Sequence, residues 1–188
     1  MKKVMIIAAM ALVCAAASAQ QKFAHVNFQE IVQLMPEMDS ARVQTETASK
    51  EANDTYAAMV QEFQSKYQQF EQKQASWTPA VRESKQRELG EIQNRIQEFE
   101  QAIQQDLQQL QNQLMAPIYQ KAQGVVNDIA KKQGFIYVFD ASQVLYVDSA
   151  QSTDITKEAR TALGIPEGRT IETLQAELQA KAAAAQAQ

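Results

Sequence analysis

The sequence has little of the chemistry that catalytic and metal sites require. It contains one cysteine, Cys14, and one histidine, His25. Cys14 falls in an N-terminal segment that we expect to be removed, so the mature chain has no thiol for a His–Cys metal site or a Cys–His catalytic pair. The sequence also lacks a glycine-rich phosphate loop. We therefore expect no enzyme, no cofactor and no metal, and we expect His25 to be structural.

Glycine and proline are scarce as well, with five and four residues in the whole chain. Both destabilise helix interiors, so their scarcity is typical of a chain dominated by long helices. The net charge is −4, and it becomes −6 when the two lysines of the N-terminal segment are removed. An acidic chain of this kind argues against nucleic acid as a partner.

The N-terminal segment has the composition of a secretory signal peptide. Two lysines precede an apolar run over residues 4–17, which is too short to span a membrane. The tripeptide ASA that ends at Ala19 matches the small-x-small pattern of a cleavage site. We predict a signal peptide over residues 1–19, cleaved after Ala19, and an exported mature chain.

A long central stretch, residues 39–114, carries the spacing of a coiled coil. Its large apolar residues recur mostly in alternating steps of four and three, close to the 3.5-residue repeat of a left-handed seam. The seam residues of the first half are Tyr56, Val60, Phe63, Tyr67 and Phe70, and those of the second half are Leu89, Ile92, Ile96, Phe99, Ile103, Leu107, Leu110 and Leu114. The pattern predicts two long helices.

The two halves of this stretch mirror each other about a point beside Pro79. Phe70 and Leu89 lie at equal distances along the chain from this point, and so do the two members of each seam pair further from the turn. Thr78 can cap the second helix, and a proline is well suited to its first position. Residues 39–114 are therefore predicted to form an antiparallel coiled-coil hairpin, an arm with no core beyond its own seam.

The segments on either side of this arm predict a small β body over residues 20–38 and 115–165. Residues 22–28 alternate as a strand does, and residues 135–139 and 144–147 resemble two further strands. The last two are apolar on consecutive residues, which predicts burial on both faces. One helix of the same chain can cover only one face of the sheet, so we expect a homo-oligomer whose subunits share this body.

The candidate residues for the shared core lie on or beside the three predicted strands. They are Val26, Phe28, Phe135, Tyr137, Phe139, Leu145 and Val147. Residues 166–188 predict a C-terminal helix and an Ala/Gln tail. The expected fold class is α+β and mostly helical, with a small β body and a long hairpin.

Three short motifs in this order resemble the Skp/OmpH family of periplasmic chaperones. They are KFAHVN at residues 22–27, GFIYVFDASQVLYV at residues 134–147 and DITKE at residues 154–158. The resemblance covers residues 22–163. It implies a homotrimer with a barrel-like body, from which three hairpins project as tentacles around a central cavity.

The function that the resemblance implies is that of an ATP-independent holdase in the periplasm. Unfolded outer-membrane proteins would be held in the central cavity while they cross this compartment. The alternative interpretation is a structural or scaffolding coiled-coil protein of the cell envelope, whose arms bind fixed partners or pack with one another.

Two features of the arm qualify what the resemblance implies. Residues 39–115 contain 8 basic and 12 acidic side chains and many glutamines, whereas family members often have basic arms. The acidic, glutamine-rich arm argues against contact with lipopolysaccharide or a membrane. Trp77 lies at the predicted tip, where it either touches a client or closes the end of the seam. The second interpretation is favoured, because Trp77 follows Phe70 in register with the seam.

Overall fold

The computed structural model describes residues 22–186. The predicted signal peptide, with Cys14 and its cleavage site, lies outside the described residues. Within the described part the chain is mostly helical and falls into two compact units. The first combines the segment up to Met35 with the segment from Gln120 onward, and the second is Pro36–Tyr119.

A three-stranded sheet lies in the first unit. Its strands are β1 (Lys22–Val26), β2 (Phe135–Asp140) and β3 (Ser152–Asp154), in the order β2-β1-β3. Both pairs are parallel. Parallel neighbours require a long crossover connection, and the connection from β1 to β2 here contains the whole second unit.

The strand predicted at residues 144–147 is wrong, because the third strand of the described chain is β3. After β2 the chain enters a short 3-10 turn, Ala141–Gln143. The Asp140 carboxylate accepts a hydrogen bond from the backbone N–H of Ser142 at 3.0 Å, which fixes this turn. β3 then takes the second edge of the central strand β1, and residues 144–147 pair with no strand in the described chain.

The core of the first unit lies on one side of the sheet. Helix α1 (Phe28–Leu34) follows β1 directly, and its N-cap Asn27 accepts a hydrogen bond from the backbone N–H of Glu30 at 3.1 Å. Helix α4 (Thr156–Ala162) follows β3. The buried apolar side chains include Ala24, Val26, Ile31, Leu34, Ala122, Val126, Ile129, Ile155, Ala159 and Leu163.

The C-terminal helix α5 (Ile171–Gln186) belongs to the first unit as well. Its Leu174 is buried. The guanidinium of Arg160 donates to the Glu30 carboxylate at 2.6 Å and to the backbone carbonyl of Arg169. These bonds tie the segment that precedes α5 to α1, so the predicted C-terminal helix is a packed element of this unit.

Two long helices make up the second unit. Helix α2 (Pro36–Lys73) is followed by a 3-10 turn (Gln74–Ser76), and helix α3 (Pro79–Gln133) begins at the predicted proline. Thr78 caps α3, since its hydroxyl accepts from the N–H of Val81 at 3.4 Å. α3 continues through Tyr119 into the first unit and ends before Gly134, whose φ of 73° is the left-handed conformation expected after a helix.

Pro36 separates α1 from α2, because the residue before a proline is driven out of the helical conformation. It is the first residue of α2, the position at which a missing N–H costs no hydrogen bond. α2 therefore begins before the predicted arm boundary at residue 39. The residues before it, up to Leu34, form the separate helix α1, and Met35 is its C-cap in an extended conformation.

Side-chain contacts connect α2 with α3 at several points within the second unit. The Lys66 ammonium lies 2.5 Å from the Glu88 carboxylate, and the Arg95 guanidinium lies 2.5 Å from that of Glu62. Less exposed residues recur along both helices. They include Ala41, Thr45, Ala48, Ala52, Val60, Phe63 and Phe70 on α2, and Leu89, Ile92, Ile96, Phe99, Ile103, Leu107, Leu110 and Leu114 on α3.

Glu88 supplies a pH-dependent contribution to the stability of the helix pair. Hydrogen bonds from Lys66 and from Lys85 lower the pKa of Glu88 to about 2. A carboxyl group with a lowered folded-state pKa stabilises the fold above its unfolded-state pKa, and this contribution is lost as the pH falls toward 2. At neutral pH, Glu88→Gln should lower the free energy of unfolding by about 0.5 kcal/mol, a typical value for a surface ion pair.

Urea unfolding followed by circular dichroism measures this effect. The difference between the native chain and Glu88→Gln should shrink steadily between about pH 5 and pH 2. The exposed Glu83 on the same helix gives the control substitution Glu83→Gln, for which we expect a smaller change. A difference that did not depend on pH would contradict the role of the Glu88 carboxylate.

Candidate functional site

The side of the sheet opposite the core presents a row of aromatic rings. Phe23 and His25 of β1 alternate with the buried Ala24 and Val26, so they point to this other side. In the sheet register Phe23 pairs with Tyr137 of β2. Tyr137 is 61% exposed in the described chain.

The rings on this side stack on one another. The ring centres of Phe23 and Tyr137 are 6.3 Å apart with nearly parallel planes, and those of Tyr137 and Phe139 are 6.0 Å apart. Phe139 is also exposed. We call Phe23, Tyr137 and Phe139 the aromatic face. An exposed cluster of large apolar side chains on a small unit marks an interaction surface.

The loop between β2 and β3 extends this apolar surface. A hollow of about 310 Å³ lies between the aromatic face and the loop. It is lined by Phe23, His25, Phe139, Val144, Tyr146, Val147, Asp148, Gln151 and Ser152. Leu145 is fully exposed and Tyr146 is 80% exposed, so two more large side chains lack cover.

His25 lies beside a serine and an aspartate, but the geometry is not that of a hydrolase. Its Nδ1 is 2.9 Å from the Ser152 hydroxyl, and its Nε2 is 4.0 Å from the Asp154 carboxylate, too far for a hydrogen bond. In a catalytic triad the carboxylate bonds to one ring nitrogen of the histidine and the nucleophilic hydroxyl bonds to the other. This arrangement favours the structural role that we predicted for His25.

The seven candidate core residues occupy different environments in the described chain. Val26 is only 2% exposed, because it packs into the core of its own chain. Phe28, Phe135 and Val147 are half-buried, whereas Tyr137, Phe139 and Leu145 are exposed. Only Tyr137, Phe139 and Leu145 are exposed enough to contact another chain.

Phe23 and Tyr146 are not among the shared-core residues predicted from the sequence. Phe23 could have been found from the alternation of β1, because it points away from Val26. The alternation of side chains does not reveal which side of a strand the rest of the chain will cover, so the sequence indicated Val26 for the shared core instead. Tyr146 gave the same signal as Leu145, since both fall in the apolar segment 144–147.

Trp77 lies in the second unit, at the turn between α2 and α3. Its ring packs edge-on against Phe70, with ring centres 5.9 Å apart. Trp77 is half-buried, and it lines a small hollow of about 150 Å³ together with Leu89 and three lysines. The contact supports the interpretation that Trp77 closes the end of the seam.

In the described part of the chain no cluster of His, Cys, Asp or Glu has the arrangement of a metal site. Nor is any helix between residues 22 and 186 both long and apolar enough to cross a membrane.

A family described as "Outer membrane protein (OmpH-like)" has a model that matches residues 22–163, most of the chain. The chain belongs to the OmpH-like family. The matched range is the one over which the motifs resemble Skp/OmpH proteins, and that prediction is confirmed. The C-terminal helix α5 lies beyond the family match.

Two relatives of this OmpH-like chain carry the name "Chaperone protein Skp". The protein from Pectobacterium atrosepticum is 27% identical over 165 residues, and that from Yersinia enterocolitica is 26% identical over 164 residues. Each match covers 85% of this chain and 100% of the relative. Both relatives are named as chaperones rather than enzymes, so the prediction that the chain is not an enzyme is confirmed.

A solved structure has the same fold as this OmpH-like chain. It is described as an OmpH-like outer membrane chaperone from Caulobacter crescentus CB15, and it superposes with a TM-score of 0.66 at 16% identity. The match covers 77% of this chain and 85% of the other. It confirms the mostly helical fold with a small sheet and long helices.

The position of Trp77 in this OmpH-like chain can be tested because it is the only tryptophan. If the ring closes the seam, native fluorescence should peak at a shorter wavelength than that of the urea-unfolded chain. Phe70→Ala should then shift the native peak toward the unfolded value, and Trp77→Ala should cost about 1 kcal/mol of stability, since edge-on aromatic pairs contribute about this much.

Phe63→Ala is the matched control, because it removes an aromatic seam residue that lies further from Trp77. It should leave the fluorescence peak in place. A native peak equal to that of the unfolded chain would mean that Trp77 is fully solvated and does not close the seam.

Proposed function

We propose that the chain is an ATP-independent holdase of the periplasm, which keeps unfolded outer-membrane proteins soluble as they cross this compartment. Its relatives are named chaperones. The predicted signal peptide supports export, and the absence of a phosphate loop from the sequence supports binding without ATP. Membership of the OmpH-like family favours this function over the scaffolding alternative.

The active form in this proposal is a homotrimer that shares its β bodies. The observation that carries the proposal is the aromatic face, in which Tyr137 and Phe139 are exposed in the described chain. Exposed apolar area costs about 25 cal/mol per Å², so a small unit with Tyr137, Phe139 and Leu145 in water is stabilised by association. Identical chains carry identical aromatic faces, so self-association can cover these faces without a second kind of protein. The number three is taken from the resemblance.

Each subunit contributes one arm, an antiparallel coiled-coil hairpin close to the predicted range 39–114. The ion pairs Lys66–Glu88 and Glu62–Arg95 support this pairing, as does the hydrogen bond between Tyr56 and Glu100. Among these three contacts, a residue that lies earlier on α2 contacts a residue that lies later on α3, which is the order of antiparallel pairing. The 38 residues of α2 would reach about 57 Å. Three such arms enclose the space in which a client is held.

The oligomeric state provides the first test of this proposal. The mature chain should have three times the mass of one chain by native mass spectrometry or by light scattering. Phe139→Glu places a charge on the aromatic face and should shift the population toward single chains, because an unpaired buried charge is strongly unfavourable. Val43→Glu changes an exposed apolar residue of α2 in the same way and should leave the mass unchanged. A native chain that remains single would contradict the shared body.

A second test is the suppression of aggregation. A porin diluted from urea should scatter less light when the mature chain is present at near-stoichiometric amounts of trimer, and ATP should make no difference. A scaffolding protein would leave the scattering unchanged. Scattering that falls only in the presence of ATP would contradict the passive mechanism.

A further inference from the structure

The two helices of the second unit do not fill the space between them evenly. We divide the arm into a base half, residues 39–60 and 96–115, and a tip half, residues 61–95. In the tip half the seam residues of α2 are large, and the hollow beside them measures about 150 Å³. In the base half α2 contributes the small residues Ala41, Thr45 and Ala52 before the larger Tyr56 and Val60. Small side chains opposite leucines and a phenylalanine leave apolar surface uncovered.

This uncovered surface forms a groove in the base half. It consists of two neighbouring hollows of about 400 and 660 Å³, and Ser49 lines both of them. We call this the base groove. The first hollow is lined by Met38, Ala41, Arg42, Thr45, Glu46, Ser49, Gln111, Leu114 and Met115. The second is lined by Ser49, Ala52, Asn53, Tyr56, Phe99, Glu100, Gln101, Ile103, Gln104 and Leu107.

The size and spacing of the hollows fit an extended peptide. Each volume lies in the range of about 300–1,000 Å³ that is usual for ligand pockets, so each can accept a large apolar side chain. Their middles, near Thr45 and Ala52, are seven residues apart on α2, or about 11 Å at the helical rise. Residues i and i+4 of an extended strand point to the same side and lie about 13 Å apart.

The base half of the arm is acidic. It contains two basic residues, Arg42 and Lys50, and seven acidic residues, which gives a net charge of −5. The acidic residues are Asp39, Glu46, Glu51, Asp54, Glu98, Glu100 and Asp106. Among the residues that line the two hollows, Glu46 and Glu100 are acidic and Arg42 is basic. The tip half contains six basic and five acidic residues, a net charge of +1. The base groove therefore lies in the more acidic half of the arm.

We propose that the base groove binds extended client segments that carry apolar side chains on one edge and lysine or arginine on the other. This inference rests on the proposed holdase function and adds the class of client segment. Strands of outer-membrane barrels alternate apolar and polar residues, so their apolar edge matches the two hollows. The carboxylates along the rim, including Glu46 and Glu100, then attract basic residues of the polar edge and repel acidic ones.

Three labelled peptides of one design test the charge preference on the full mature protein. Each peptide has aromatic residues at every second position, and the positions between are all lysine, all glutamine or all glutamate. Fluorescence anisotropy at low salt should give an affinity for the lysine peptide at least about tenfold higher than for the glutamate peptide. The difference should shrink between about 0.05 and 0.2 M salt, because screening shortens the reach of surface charges.

Two pairs of matched variants locate the binding surface. Ser49→Leu fills the junction of the two hollows and should weaken binding of the lysine peptide about fivefold, whereas Ser65→Leu on the exposed side of α2 should not. The double variant Glu46→Gln with Glu100→Gln should weaken it about threefold, and Glu83→Gln with Glu91→Gln in the tip half should weaken it less. The charge variants change no apolar packing, so they test the groove even if Ser49→Leu fails to fold.

The outcomes separate this inference from the holdase proposal. If the native chain does not keep a denatured porin soluble, the holdase proposal itself fails. If it does, but Ser49→Leu and Ser65→Leu bind equally, the base groove is not the binding surface and the inference is wrong. Equal affinity for the three peptides at low salt would also overturn it.

Discussion

Parallel pairing of β1 with β2 brings Phe23 beside Tyr137, and everything between them must leave the sheet and return to it. Because a parallel pair cannot be closed by a tight turn, the connection has to be long. In this chain it contains the whole second unit, α2 and most of α3. The long helices are thus an insertion between two neighbouring strands, and the pairing of those strands is what makes the first unit a single body.

The same sheet explains why we propose that the chain associates with copies of itself. Ala24 and Val26 are buried within their own chain, whereas Tyr137 and Phe139 on the other side of the sheet are exposed. A body of this size gains little from its own core, so leaving half of the sheet in water is a substantial cost. In the proposed homotrimer, self-association through the aromatic face removes that cost, and its symmetry places several arms around one client.

In the proposed chaperone, the tip half of the arm provides stability and the base half provides binding. In the tip half Phe63, Phe70 and Trp77 fill the seam and the Lys66–Glu88 ion pair joins the helices. In the base half small residues leave the seam open and the charge is negative. A chaperone that uses no ATP has to release its client by dissociation, so it is better served by several weak, open contacts than by one tight pocket.

The sequence alone determined the features that depend on neighbouring residues. The helix start at Pro79, the helix end before Gly134 and the coiled-coil spacing along both long helices follow from capping and from local periodicity. The tertiary structure decided the features that depend on distant partners. The segment 144–147 is apolar enough for a strand, yet the free edge of β1 is taken by Ser152–Asp154, and no local pattern reveals that choice. For the same reason alternation separated Phe23 from Val26 but did not reveal which of them the chain would bury.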